Sequence, residues 1–147
     1  MRKLLPIILL ALFVAAAYGE QKTVDQLIAE AAHADAAQQG HLYAEIAQKL
    51  VAVADKQFSD SESVKAHETV DQILQYATKS HDLVIQTRKK MKEAEKELRQ
   101  CNRNLENMKR TLAAEDRPQV EAVQKKLEQL TEEVLEAMFA APKKEHK

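Results

Sequence analysis

Apolar residues recur along this chain at the three- and four-residue spacing of helix faces, and capping signals divide them into four runs. Thr23-Val24-Asp25-Gln26 has the form in which a cap hydroxyl and the residue three places on satisfy each other's free backbone N–H groups. A first helix is therefore expected over 23–38, with Val24, Leu27, Ile28, Ala31 and Ala34 facing inward. Gly40 would end it, because a glycine takes the left-handed conformation without a Cβ clash.

A second helix is expected over 41–58, its stripe formed by Tyr43, Ile46, Ala47, Leu50, Val53, Ala54 and Phe58. Ser59 and Glu62 then read as a capping box that opens a third helix. From Ser61 to Ala114 there is neither glycine nor proline, and seam residues step alternately by four and three: Ala66, Val70, Ile73, Ala77, Ser80, Val84, Thr87, Met91, Ala94, Leu98, Cys101, Leu105, Met108 and Leu112. This predicts one continuous helix over 61–114, about 75–80 Å long. Asp116, Pro118 and Gln119 signal a new N-terminus. The last helix, 117–140, follows with Val120, Val123, Leu127, Leu130, Val134 and Ala137 inward, and 141–147 reads as a flexible tail.

The fold class that follows is all-α: an elongated antiparallel helical bundle with one long central helix and a C-terminal coiled-coil-like hairpin. The first two helices would cover the start of the long helix and the last helix its far end. Leu83, Val84 and Ile85 lie between, with the least cover.

The first nineteen residues break the pattern. Met1-Arg2-Lys3 is a basic start, Leu4 to Ala16 an apolar run, and Ala17-Tyr18-Gly19 a small-x-small cleavage site, the three parts of a signal peptide. Leu4 to Tyr18 would make about 22 Å of helix against a hydrocarbon core of about 30 Å, short for a span. Residues 20–147 are thus expected to be one exported helical domain, periplasmic or extracellular. Loss of Arg2 and Lys3 would take the net charge from −1 to −3, which favours no particular partner.

Composition narrows the chemistry. Aromatic residues are 4% of the chain and tryptophan is absent, so the core is thin and pocket volume small. Gly19 and Gly40 are the two glycines, too few for a phosphate-cradling loop. No nucleophile stands beside a base, and no His-x3-His or clustered cysteine offers the three or four ligands of a metal site. His41 with Glu45 and His67 with Asp71 are each half a site. The expectation is no enzyme, no catalytic residue, no metal and no cofactor.

Three surface readings remain. Leu83, Val84 and Ile85, with Phe139 nearby, form an apolar surface for self-association or for a protein partner, or else a packed junction. Lys89, Lys92, Lys96, Arg99, Arg103 and Arg110 share the outer face of the long helix, either as a solvated face or as a ridge for an anionic glycan or lipid. No aromatics interleave with these cations, which argues against nucleic acid. Cys101 lies on the seam, as a buried filler or as one half of an intermolecular disulfide in a homodimer. The leading expectation is an exported, non-enzymatic scaffold or adaptor acting through protein–protein contact or self-association. The alternative is an envelope protein that binds an anionic glycan or lipid.

Overall fold

The structure, a computed structural model, describes residues 21–140, so the leader and the tail expected over 141–147 lie outside the described residues. Residues 21–140 are all-helical, with five helices and no strand: α1 (Val24–His33), α2 (Ala36–Ser59), α3 (Ser63–Thr87), α4 (Met91–Lys109) and α5 (Arg117–Phe139). None is long and apolar enough to cross a membrane.

The N-terminal cap is formed as the sequence implies. Gln26 N donates to Thr23 Oγ1 at 3.2 Å, and Thr23 N donates to Gln26 Oε1 at 2.9 Å. The end of that helix differs from the expectation. It stops at His33, Asp35 caps α2 by accepting from Gln38 N at 2.9 Å, and Gly40 lies inside α2 without a positive φ. Gly40 is a point of close approach between helices. A Cβ there would stand 2.9 Å from Val84 Cγ1, and the buried Ser80 hydroxyl donates to the Gly40 carbonyl at 2.6 Å. Nor does Ser59 form the expected box with Glu62: Ser59 ends α2 and donates to Asp55 O, while Glu62 precedes α3 without a side-chain cap.

The largest correction concerns the long helix. Residues 61–114 are not continuous: α3 ends at Thr87, α4 starts at Met91, and the chain reverses through Arg88, Lys89 and Lys90. Arg88 (φ 54°) and Lys90 (φ 59°) both take the left-handed conformation. Each costs about 1–2 kcal/mol for a residue with a Cβ, which is why a sequence free of glycine and proline does not advertise a turn. The reversal is offset by burial, because folding back brings the two halves of the seam into one core. Val70, Ile73 and Val84 of α3 and Ala94, Leu98, Cys101 and Leu105 of α4 are all fully buried. Complete burial of one Leu or Ile side chain contributes about 1.5–3 kcal/mol, so a few of them outweigh the turn. These residues face inward as their spacing predicts, but from two helices in place of one.

The resulting bundle consists of two antiparallel hairpins, α2–α3 and α4–α5, lying side by side in the same orientation. Gly40 meeting Val84 and Phe58 meeting His67 set the antiparallel register of the first. Gln124 donating to Glu106 at 2.9 Å sets that of the second. Between the hairpins, helices run parallel at one constant offset. His67 meets Gln119, His81 meets Glu133 and Arg88 meets Ala140, all 52 residues apart, and Ala52 and Asn104 line one crevice between α2 and α4. The consecutive helices α3 and α4 consequently stand across the bundle from each other and touch least of all the packed pairs. The short α1 folds onto α2, held by Leu27, which is fully buried, and by Gln39 Nε2 donating to Ala31 O at 3.0 Å.

Candidate functional site

Among the described residues no group of three or more His, Cys, Asp and Glu side chains is placed to hold a metal ion. The histidines are used differently. His67 Nε2 lies 2.8 Å from Asp116 Oδ1, its Nδ1 contacts Gln119 Oε1, and the edge of Phe58 packs on the ring. Asp116 Oδ1 also accepts from Ser63 Oγ at 3.0 Å, and Gln119 Nε2 donates to Asp71 Oδ1 at 2.9 Å. Acceptors at both ring nitrogens favour the doubly protonated ring. The hydrogen bond to Gln119, followed by the bond to and charge of Asp116, raises the His67 pKa above 6.5 against the opposing effect of burial. Further along α3, His81 stands between Asp82 (2.8 Å) and Glu133 (2.7 Å). Both clusters join α3 to α5 and act as contacts of the fold.

The residues expected to bind an apolar partner are separated by their burial. Val84 is fully buried against Gly40, and Leu83 and Ile85 are half-buried around the core. This stretch is a packed junction and not an open surface; the physical reason is that α2 runs the full length of α3 and covers it. Phe139 is exposed to 82%. Cys101 is buried with no exposed surface, and burial pushes its thiol up to about 12. In the folded bundle it cannot reach a second copy to form a disulfide.

The cationic residues do lie outward, but they are not equivalent. Lys92, Lys96, Arg99, Arg103 and Arg110 are exposed on one face of α4, whereas Lys89 belongs to the corner before it. Arg99 pairs with Glu95, and Glu106 draws Lys109 (2.9 Å) and Arg110 (3.9 Å). Hydrogen bonds from Gln124 and Lys109 hold the Glu106 carboxyl below its usual pKa. Arg99 and Arg110, in the C-terminal half of the stripe, are thus paired within α4. Among the described residues, Lys89, Lys90, Lys92, Lys96 and Arg103 have no carboxylate within 4.0 Å.

The apolar surface that sequence reasoning missed lies elsewhere. A groove of about 750 Å³ opens between α1, α2 and α3, with Val24, Ile28, Leu50, Val53 and Tyr76 on its walls and Asp25, Gln57, Lys65, Glu68, Thr69 and Gln72 around them. Ile28 and Val53 are 39% and 38% exposed, and Val64, one turn before Glu68 on α3, is 75% exposed. Of the large hydrophobic side chains exposed among the described residues, Ile28 and Val53 thus line this groove, while Val64 and Phe139 do not. Periodicity places Ile28 and Val53 on inward stripes. It does not show that a ten-residue α1 is too short to cover α2 fully. A second cleft of about 560 Å³, between α1, α2 and α4, is lined mainly by polar side chains, and its Lys22 and Glu30 pair with each other at 2.5 Å.

Compared with known proteins, the chain matches no family model, no curated protein and no solved structure.

Proposed function

We propose that the protein is an exported, non-enzymatic helical module that works by contact, and that the α1/α2/α3 groove receives an amphipathic helix of another protein. The observation that carries this reading is the partial exposure of Ile28 and Val53 together on the walls of a groove between three helices. An apolar channel between helices accepts a further helix through residues spaced i, i+3, i+4 and i+7. Asp25 and Glu68 outnumber Lys65 on the rim, so the occupant's polar face carries Lys or Arg beside its apolar stripe. Export rests on the basic, apolar and small-x-small succession of residues 1–19, which lies outside the described residues.

The test is an NMR titration of residues 20–147 with a helical peptide bearing Leu at the four anchor positions and Lys on its polar face. The expected shifts centre on the Ile28 and Val53 methyls, Val53→Asp removes them, and a peptide with the same stripe but Glu flanks binds more weakly. Shifts centred elsewhere, or a response unchanged in Val53→Asp, would sink the reading. Light scattering on the same sample reports self-association, in which the helix comes from a second copy.

A second reading, binding of an anionic glycan or lipid, draws on the exposed and unpaired Lys89, Lys92, Lys96 and Arg103.

A further inference from the structure

The unpaired positive charge concentrates at one end of the bundle. Arg88, Lys89, Lys90, Lys92 and Lys96 fall within nine residues at the α3–α4 corner, all exposed. Only two acids share that stretch, and Glu95 is committed to Arg99. The corner is not a loose loop. Arg88 N donates to Val84 O at 2.9 Å, and its guanidinium donates to both Ala137 O and Ala140 O at 3.0 Å, tying the corner to the last turn of α5. That turn carries Phe139, the most exposed large hydrophobic residue described. A bulky aromatic ring held in water on the turn to which Arg88 ties the basic corner is costly for a solvated bundle end. It is the combination that an anionic lipid surface rewards, with lysines at the phosphates and the ring among the acyl chains.

Resting on the second reading above, we infer that the Arg88–Lys92 corner and Phe139 form a docking tip for the surface of an anionic lipid bilayer. The lysines supply long-range attraction, and Phe139 supplies the part of the contact that salt does not screen. A soluble glycan or acidic protein would use the same charges but would have no apolar layer to receive the ring.

Residues 21–140 contain the whole described core, so residues 20–147 serve for the experiment and avoid the apolar leader. Because the chain lacks tryptophan, Phe139→Trp provides a single emission signal from the tip. The protein is mixed with vesicles of phosphatidylcholine alone, with vesicles also containing phosphatidylglycerol, and with dextran sulfate. The expected result is co-sedimentation, and a blue shift of the indole emission in the Phe139→Trp variant, with the anionic vesicles only. Lys89→Gln/Lys92→Gln should weaken that binding about tenfold or more, given that each basic residue near such a surface contributes severalfold, and Phe139→Ser should weaken it at high salt most of all. Circular dichroism confirms that each variant is folded. Equal binding to neutral vesicles, or anionic binding without a blue shift and unaltered by Phe139→Ser, overturns the lipid assignment. Binding to dextran sulfate as strong as to anionic vesicles overturns it in favour of a general polyanion site, and binding to none of the three overturns the anion reading itself.

Discussion

Gly40 and Val84 approach so closely that α2 and α3 could not pack in this register if residue 40 carried a side chain, since its Cβ would lie 2.9 Å from Val84 Cγ1 and 3.2 Å from Leu83 Cβ. Gly40→Ala gains about 1 kcal/mol of helix propensity but overpacks the junction at a cost of about 1–3 kcal/mol. The expected net effect is a destabilisation of up to about 2 kcal/mol, read as a lowered midpoint in thermal or urea unfolding. Adding Val84→Ala should cost less in the Gly40→Ala background than alone, and strict additivity of the two would contradict the contact.

The corner offers two matched substitutions of opposite sign. Lys90 is left-handed and makes no side-chain hydrogen bond that holds the turn, so Lys90→Gly should stabilise the protein by up to about 1 kcal/mol, the strain relieved less the entropy of a glycine. Arg88 is equally left-handed but caps the Ala137 and Ala140 carbonyls. Arg88→Gly should therefore give little gain or a net loss. If the two variants change the unfolding midpoint alike, the capping role of Arg88 is refuted.

His67 makes stability depend on pH. Its folded pKa is raised above 6.5, first by Gln119 and then by Asp116 and Asp71. A raised pKa means that the folded state holds the proton more tightly, so the contribution is complete below about pH 6.5 and disappears as pH rises through the folded value. Unfolding midpoints measured from about pH 6 to about pH 9 should fall more steeply for the native sequence than for His67→Asn. Parallel curves would show that the His67–Asp116 contact does not titrate with folding.

Cys101 should be silent toward a thiol reagent until the bundle unfolds. Its thiol has no exposed surface and is pushed up to about 12 by burial, with the Glu97 charge adding to the effect. Labelling at neutral pH is expected to follow global unfolding by denaturant, and Cys101→Ser should cost about 1–3 kcal/mol by burying a hydroxyl in an apolar seam. Rapid labelling of the native protein would contradict this burial.

Much of the core is legible because burial and spacing are linked locally. Periodicity points Ala66, Val70, Ile73, Ala77, Leu98, Leu105 and Leu127 inward, and all are buried. The connections are less legible, for two opposite reasons. Gly40 is the residue type that ends helices but is needed here for its absent side chain, while Arg88 and Lys90 favour helix yet are bent by long-range burial. The exposed surfaces follow from the connections. A straight helix over 61–114 leaves Val84 bare and sets the basic residues in one ridge. With the reversal, Val84 is enclosed, the free cations gather at a corner, and the bare apolar surface moves to Ile28 and Val53.

The uniform offset of 52 residues between the hairpins also bears on how the chain reaches this state. Within each hairpin, contacts close over short tight turns, so α2–α3 and α4–α5 can form from local encounters. Contacts between α3 and α5 all span about the same sequence distance, so once the Arg88–Lys90 reversal has formed no further long loop has to be closed. With that glycine-free turn in place, one docking of hairpin on hairpin can close these contacts together as a set.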